Sequence, residues 1–308
     1  MESQIPVMLM AFIRPDLIAK CLHQLSKFEP PILYVMGDGP RNEEEAVLCS
    51  QSRELALNPG WDCEVIPILN DENQGIVKSF IKGMNRMFTD HEFGIFLEDD
   101  ILLSPSFYPF AMELLFRYRN NSRIGHINAS NFVPEFGEQD HRFSYYFSNH
   151  PHVWGFATWR RMWELYDVNM PEWKHVDQNL LLGDHCFSRR EKNSLKHLFD
   201  LHCNNPDPWA CDYQWIFNCL FNKALSITPK NNMSLNIGFD RVDSTHTSGT
   251  NPFANPLEEC VFPLSHPKLT RRNIEFDKAL SKKMCPSSSS VFWGKIINKF
   301  TRLLIGPK

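Results

Sequence analysis

Three consecutive acidic residues, Glu98, Asp99 and Asp100, lie within the apolar stretch FGIFLEDDILLSP at residues 93–105. Adjacent carboxylates repel one another, and removing them from water costs free energy unless a positive charge joins them. The triplet is therefore either a solvated acidic turn or a site for a cation. Hard divalent cations such as Mg²⁺ and Mn²⁺ bind carboxylate oxygens together with substrate phosphates, so the second alternative predicts a metal–diphosphate site.

The elements that must position this triplet are visible in the first 130 residues, where four apolar runs alternate with helical patterns. The runs are IPVMLMAF, PILYVM, CEVIPIL and FGIFL, and the fourth of them ends at the triplet. This alternation predicts an α/β fold with a mostly parallel sheet flanked by helices. Ligands of such sheets bind beyond the carboxyl ends of the strands. Arg14, Asp38 and Asn73 also fall in or near strand-end loops, so we expect them to share one site with the triplet.

Composition narrows the classes of function. The chain has 308 residues, enough for one large domain or two modest ones, and its net charge of −4 gives no reason to expect nucleic acid as a partner. Nine scattered cysteines without a CxxC pair indicate reduced thiols rather than a disulfide framework. The N-terminus resembles no signal peptide, and no apolar run is long enough for a membrane span. We therefore predict a cytoplasmic protein.

The motifs VMLMAFIRP, YVMGDGP, NDENQG and FLEDDILLSPSFYPF, taken in order, resemble glycosyltransferases of the GT-A (Rossmann-like) fold that use nucleotide sugars. The similarity is to the group containing N-acetylglucosaminyltransferase I and to related bacterial sugar transferases, and it covers about residues 5–267. It implies that Arg14 and Asp38 contact the nucleotide and that Asp100 binds Mn²⁺ or Mg²⁺. It also implies that Glu98 and Asp99 hold the sugar nucleotide and order the loop. By its position in a strand-end loop, Asn73 joins this nucleotide-sugar-binding set.

The second half of the chain must then supply the acceptor side. If the anomeric centre is inverted, one carboxylate has to deprotonate the acceptor hydroxyl. Asp212 in DPWACDYQW is our candidate, because this segment resembles the one that supplies the base in the same group. It departs from the family pattern of consecutive acids, having Ala210 and Cys211 before Asp212. Asp207 is the nearest rival, and a helix-capping role for Asp212 is the alternative.

Three further residues complete the candidate site. Trp154 and Gly155, in HVWGFATWRRMW, are candidates for acceptor binding, because tryptophan faces stack on sugar rings and a glycine between bulky rings allows close approach of a ligand. Burial in an aromatic core helix after a glycine turn is the alternative. His246 lies in a late loop that resembles one in the bacterial members, and it is a candidate ligand of the metal or diphosphate; a structural role is the alternative.

The predicted organisation is a domain over 1–267, with a nucleotide-sugar half (1–130) and an acceptor half (131–267), followed by a tail over 268–308. The tail contains CPSSSS and then VFWGKIINKFTRLLI, a basic amphipathic pattern over about 291–305. Such a helix suits peripheral contact with the inner face of an anionic membrane. Packing on the domain or an oligomer interface is the alternative.

Together these features predict a metal-dependent, inverting glycosyltransferase that moves a sugar from a nucleotide sugar to a glycan or lipid-linked glycan. The resemblance implies a UDP-linked donor with N-acetylglucosamine as its sugar, and a place in bacterial polysaccharide biosynthesis. Two alternatives are a sugar-nucleotidyltransferase and a non-catalytic carbohydrate-binding protein. The first usually opens with a glycine-rich phosphate loop, which AFIRPDLIAK does not provide. The second would not need three clustered acids at a strand end.

Overall fold

The structure is a computed structural model and describes residues 4–139, 142–239, 241 and 251–285. The strands are β1 (Val7–Ala11), β2 (Ile32–Gly37), β3 (Glu64–Leu69), β4 (Phe93–Leu97), β5 (Ile101–Leu103), β6 (Ile124–Asn128), β7 (Tyr145–Ser148), β8 (Phe156–Trp159), β9 (Leu225–Pro229) and β10 (Ser234–Asn236). The α-helices are α1 (Pro15–Leu25), α2 (Glu43–Leu57), α3 (Gly75–Asp90), α4 (Phe107–Arg117), α5 (Pro134–Gln139), α6 (Arg160–Trp163), α7 (Gln178–His185), α8 (Arg189–His202), α9 (Asp212–Phe221) and α10 (Ile274–Met284). A 3-10 helix covers Pro171–Lys174.

Eight of these strands form one sheet in the order β3-β2-β1-β4-β8-β6-β9-β7. The pairings make six of them run in one direction, while β7 and β8 run the opposite way. The predicted α/β fold with a mostly parallel sheet flanked by helices is confirmed. Strand β5 follows the acidic triplet directly and forms a separate antiparallel pair with β10.

Helices cover both faces of the sheet, which explains why its central strands are apolar throughout. In β1, Val7, Leu9 and Ala11 pack into the core that contains α1 and α4, whereas Met8 and Met10 pack into the core that contains α3 and α9. A strand buried on both faces needs a continuous apolar run rather than an alternating one. By contrast, β3 is an edge strand and is largely exposed or half-buried, which is where a strand proline such as Pro67 is tolerated.

The second half of the chain is not a separate layer, because β8 from this half lies between β4 and β6 in the main sheet. The alternative interpretation of HVWGFATWRRMW as a core helix was wrong for its centre, since Phe156–Trp159 form β8 and the helix α6 begins only at Arg160. Backbone hydrogen bonding to β4 and β6 overrides the helical spacing of these aromatic residues. In DPWACDYQW, helix α9 begins at Asp212.

The tail begins with an ordered element. Phe276 and Leu280 of α10 pack against Tyr146 of β7 in a small apolar core. The predicted amphipathic helix over 291–305 and the candidate ligand His246 both lie outside the described residues. Within the part of the chain that the structure describes, no helix is long and apolar enough to cross a membrane.

Candidate active site

The acidic triplet follows β4 directly, and two of its carboxylates, those of Asp99 and Asp100, form ion pairs with Arg14. Nε and Nη2 of Arg14 donate to the two carboxylate oxygens of Asp99, with the Nε–Oδ2 distance at 3.1 Å. Nη1 donates to Asp100 Oδ2 at 3.1 Å. Burial acts to lower the pKa of Arg14, but the neighbouring carboxylates more than offset it and the pKa is raised. Arg14 therefore lies with the triplet, as expected, and its partners in this structure are carboxylates.

The acidic turn is held in place by backbone contacts on both sides. The Cys21 thiol of α1 donates to the carbonyl oxygen of Asp99 at 3.0 Å, and the Ile237 amide donates to the carbonyl oxygen of Asp100 at 2.8 Å. Gly238 lies against the Asp100 carboxylate so closely that a Cβ at this position would overlap Oδ2. The late loop therefore begins beside the triplet. Sequence reasoning missed Gly238, although it stands between bulky residues in NIGFD just as Gly155 stands between aromatic ones.

One atom of the triplet is suited to a metal ion. Asp100 is only 7 % exposed, and its Oδ1 is a buried oxygen with no hydrogen-bond partner in the described structure. A buried carboxylate oxygen without a donor is costly in the absence of a cation, and hard divalent cations prefer such oxygens. The residues present therefore fit Mn²⁺ or Mg²⁺, with Asp100 as the ligand.

Asp212, the candidate base, is electrostatically coupled to the triplet. Burial raises the pKa of Glu98 well above its usual value, and the charges of Asp100 and then Asp212 raise it further. Burial also raises the pKa of Asp212 to about 6, against the opposing effect of the first backbone amides of α9. Burial therefore raises the pKa of both carboxyl groups, and environments that shift the pKa values of neighbouring carboxyl groups are typical of catalytic acid and base pairs.

The rival candidate Asp207 is exposed, in the loop before α9. The helix-capping alternative for Asp212 does not match the structure, because Cys211 holds the N-cap position of α9 and Asp212 is the first residue of the helix. The amides of Asp212 and Tyr213 nevertheless act to lower the pKa of the Asp212 carboxyl group. Tyr166 is a residue that sequence reasoning missed. Its buried hydroxyl has no hydrogen-bond partner in the described structure, and the charge of Asp212 contributes to raising its pKa after burial.

Asp38 and Asn73 form a second cluster at the ends of β2 and β3. Asp38 Oδ1 accepts hydrogen bonds from the amides of Gly39 and Gln74, both at 2.9 Å. Its Oδ2 accepts from Asn73 Nδ2 at 3.1 Å and from the Gly75 amide at 2.9 Å. The Asp38 carboxylate therefore ties the loop after β2 to the loop that precedes α3. In this structure Asp38 therefore organises the two turns, with its carboxylate oxygens bound by loop donors.

Sequence reasoning missed two residues of this second cluster. Asn70, the first residue of NDENQG, donates to Asp38 Oδ1 at 3.1 Å and accepts a hydrogen bond from Lys82 Nζ. A pocket of about 450 Å³ opens beside this loop, and both residues line it. The other residues lining it are Leu69, Asp71, Glu72, Gln74 and Lys78. The position of Asn70 directly after β3 is the signal that could have found it.

Trp154 and Gly155 lie where β8 begins. Trp154 is half-buried and packs edge-on against Phe132 at 5.1 Å between ring centroids and against Phe253 at 6.0 Å. Gly155 has φ +73°, and a Cβ there would come within 2.8 Å of Leu103 Cδ2. The close approach that this glycine permits is thus to β5, and its positive φ independently favours glycine. Trp154 retains partial exposure for a ligand.

A buried histidine anchors the helix that carries Asp212. Trp215 Nε1 of α9 donates to His126 Nδ1 at 3.0 Å, and His126 Nε2 lies 2.9 Å from the carbonyl oxygen of His152. Because Nδ1 accepts and Nε2 donates, the ring must be neutral with its proton on Nε2. Burial, with a smaller effect of His152, lowers the pKa of His126 to about 3.

This anchor predicts a loss of stability in acid. The unfolded chain takes up a proton on His126 near pH 6.5, whereas the folded chain does not. The contribution of His126 to the free energy of unfolding is therefore fully present above that pH and is lost as the pH falls below it. Between about pH 7.5 and pH 5, His126 should account for a loss of about 2 kcal/mol in the free energy of unfolding. Urea unfolding of His126→Gln should show a correspondingly weaker pH dependence than the wild type. His23→Gln, at an exposed position of α1, should retain the wild-type slope; equal slopes in all three proteins would contradict the prediction.

No protein-family model and no curated protein matches this chain. Among solved structures, it is similar to a UDP-glucose pyrophosphorylase complexed with UDP-glucose, at 10% identity over 54% of this chain and 80% of that chain, with a TM-score of 0.31. A putative glucose-1-phosphate thymidylyltransferase from Bacillus anthracis matches at 11% identity over 55% and 76%, with a TM-score of 0.32. A mannose-1-phosphate geranyltransferase from Thermus thermophilus matches at 13% identity over 74% of both chains, with a TM-score of 0.37. Similarity at this level carries no argument about activity.

Proposed function

We propose that this protein is a metal-dependent transferase that uses a nucleotide sugar, and that the transferred group is the sugar. The observation that carries the proposal is the electrostatic coupling between Asp212, with a pKa of about 6, and the strand-end triplet at Glu98. Such an arrangement supplies a base near neutral pH beside a carboxylate that suits a metal. A non-catalytic sugar-binding protein has no need of either.

In the proposed reaction, the oxygen of an acceptor hydroxyl attacks the anomeric carbon of the donor sugar. The bond from that carbon to the diphosphate oxygen breaks, the nucleoside diphosphate leaves, and Asp212 takes the proton of the hydroxyl. The anionic form of Asp212 is the competent one, so a pKa near 6 keeps most of it ready at neutral pH. The anomeric centre is inverted, because the hydroxyl enters on the face opposite the leaving group.

Asp100 would hold Mn²⁺ or Mg²⁺, and that ion, when bound, neutralises the charge of the departing diphosphate. Arg14, Glu98 and Asp99 form the surrounding charged network for the nucleotide sugar, and His246 is proposed as a second ligand. Asp38 and Asn73 shape the loop on which we place the nucleotide. On the acceptor side, Trp154 and Gly155 are proposed to face a glycan or lipid-linked glycan. A UDP-linked donor, with N-acetylglucosamine as its sugar, and peripheral membrane contact through 291–305 complete the proposal.

Sugar nucleotidyl transfer is the second candidate, and the names of two of the three weakly similar solved structures correspond to it better than to glycosyl transfer. In that reaction a sugar phosphate attacks a nucleoside triphosphate, and both reactants are anions. Arginine and lysine clamps usually neutralise such groups. Here four carboxyl groups are brought together, and the cation paired with the triplet, Arg14, is already engaged by Asp99 and Asp100. A hydroxyl nucleophile that must lose a proton suits this charge balance better.

Product analysis separates the candidates. The purified chain is first screened by thermal shift against UDP-, GDP- and CMP-sugars with Mn²⁺ or Mg²⁺, and the donor that binds is then incubated with each metal. Release of nucleoside diphosphate and free sugar, by slow hydrolysis without an acceptor, supports glycosyl transfer. Release of pyrophosphate from a nucleoside triphosphate and a sugar 1-phosphate would instead support nucleotidyl transfer. Binding of no nucleotide sugar with either metal present would overturn the whole proposal.

A further inference from the structure

A second set of ligand-type side chains is buried at the far edge of the sheet. His150 follows the edge strand β7, His185 ends α7, and Glu191 lies in the first turn of α8. One potential ligand atom from each lies within 4.8 Å of the other two. In the sheet β7 is four strand positions from β4, which corresponds to roughly 19 Å at the usual strand spacing. This cluster is therefore distinct from the acidic triplet.

The two imidazoles of the cluster each have an unused nitrogen. His150 Nε2 and His185 Nδ1 are buried and have no hydrogen-bond partner in the described structure, and their ring centroids are 4.2 Å apart. Leaving such atoms unpaired inside a protein costs free energy. Burial lowers the pKa of both rings well below the usual value, so both are neutral near pH 7. Neutral imidazole is the form that binds transition metals.

Glu191 supplies the negative charge that faces these rings. Glu191 is 7 % exposed, and its Oε2 accepts hydrogen bonds from the Phe187 amide at 2.8 Å and from the Ser281 hydroxyl of α10. The carboxylate is thus oriented by groups outside the cluster, as the ligands of metal sites usually are. Cys186 lies close enough to Glu191 for that charge to add to the effect of burial in raising the pKa of its thiol to about 12.

One cation near the cluster has its own partner. Arg272 donates to the carbonyl oxygens of Asp184 and His185, and it forms an ion pair with the buried Asp277. Asp277 is itself bound by the Ser148 hydroxyl at the end of β7. The charge of Arg272 is therefore matched by Asp277, and Glu191 remains as a ligand for a dication.

We propose that His150, His185 and Glu191 form a site for a divalent transition metal, with Zn²⁺ as the preferred ion. Two imidazoles and one carboxylate are a usual set of protein ligands for zinc, whereas Mg²⁺ prefers oxygen alone. Tetrahedral zinc with ordinary bond lengths holds its ligand atoms about 3.4 Å apart, so closure needs the atoms to approach by at most about 1.5 Å. A water molecule takes the fourth position.

Such a metal would join four elements at one edge of the sheet. It connects the segment after β7 to the end of α7 and the start of α8, and the hydrogen bond from Ser281 to Glu191 extends the connection to α10. The site is buried and lies far from the triplet, so we assign it a structural role. This inference does not depend on the proposed function.

The test uses the full chain. After treatment with a chelator and dialysis, the protein is titrated with Zn²⁺ in competition with a chromophoric indicator, and its metal content is measured. We expect about one Zn²⁺ per chain and a melting temperature that rises on binding, as for any ligand of the folded state. His185→Gln and His150→Gln should each weaken Zn²⁺ binding by more than about 100-fold, which exceeds the usual effect of losing a residue that only orients a ligand.

Two control variants locate the site. His197→Gln, at an exposed position of α8, and Asp100→Asn, in the triplet, should both bind Zn²⁺ as tightly as the wild type. Binding of less than about one tenth of an equivalent by the wild type would overturn the proposal, as would unchanged affinity in both His185→Gln and His150→Gln. If these variants do not fold, the visible absorption spectrum of the Co²⁺-loaded wild-type protein tests the site instead. Intense visible absorption indicates tetrahedral nitrogen and oxygen ligands, and its absence contradicts the site.

Discussion

Asp212→Asn should abolish sugar transfer while leaving donor binding intact. An asparagine has the same shape but cannot take the proton of the acceptor hydroxyl, so we expect kcat to fall by about 10³-fold, within the usual range for a general base. The donor Kd should remain within a few-fold of the wild type, because in our proposal the donor is held by the triplet and by the Asp38 loop. Turnover is measured as nucleoside diphosphate release, and binding by calorimetry with Mn²⁺ present.

The wild-type pH profile provides an independent check on this role. Because the ionised form of Asp212 is the base and its pKa is about 6, kcat/KM should be flat above that pH and fall about tenfold per pH unit below it. Asp207→Asn is the matched control, since Asp207 is exposed in the loop just before α9. That variant should keep both the rate and the profile. Full activity in Asp212→Asn, or equal losses in the two variants, would remove Asp212 from the catalytic role.

Asp100→Asn should abolish metal-dependent binding of the nucleotide sugar. The substitution removes the charge of the proposed ligand and places an amide group where the carboxylate lies against Gly238. We expect donor affinity in Mn²⁺ to fall by about 100-fold or more, because loss of a ligand should exceed the roughly 10- to 100-fold effect of losing a residue that only supports one. Affinity in the absence of metal should change little. Calorimetric titration of UDP with and without Mn²⁺ measures both quantities.

The control for this prediction is Asp62→Asn, which removes an exposed carboxylate before β3. The substitution changes the net charge by the same amount but lies at the amino end of β3, whereas Asp100 follows the carboxyl end of β4. The Asp62→Asn protein should bind donor and metal as the wild type does. Circular dichroism in the near ultraviolet establishes that Asp100→Asn is folded. A folded Asp100→Asn protein that keeps the metal-dependent increase in affinity would show that the ion binds elsewhere.

The sequence determined the elements of the first half and what stands at their ends. The continuous apolar runs of β1 and β4 predicted strands covered on both faces, and both are buried throughout. The placement of Asp38 directly after β2 and of Glu98 directly after β4 was also correct. These features follow from local patterns, because strand burial and strand ends are recorded in adjacent residues. The parallel arrangement then brings the carboxyl ends of these strands to the same end of the sheet.

Only the tertiary structure decided which of these residues contact one another. It paired Arg14 with Asp99 and Asp100, tied Asp38 to Asn73, and brought the start of α9 within electrostatic range of Glu98. It also inserted β8 between β4 and β6, where the spacing of the aromatic residues had left a helix open as the alternative. Strand pairing between distant segments cannot be predicted from a local pattern in the sequence.

The cluster of His150, His185 and Glu191 shows the same limit most clearly. Its three residues come from three separate elements, and no short motif links them in the sequence. Their proximity arises because α10 packs against β7, Ser281 of α10 contacts Glu191 of α8, and α8 packs against α7. The sequence specifies such a site only through the packing interactions of the whole fold. The triplet, by contrast, consists of three consecutive residues at the end of one strand.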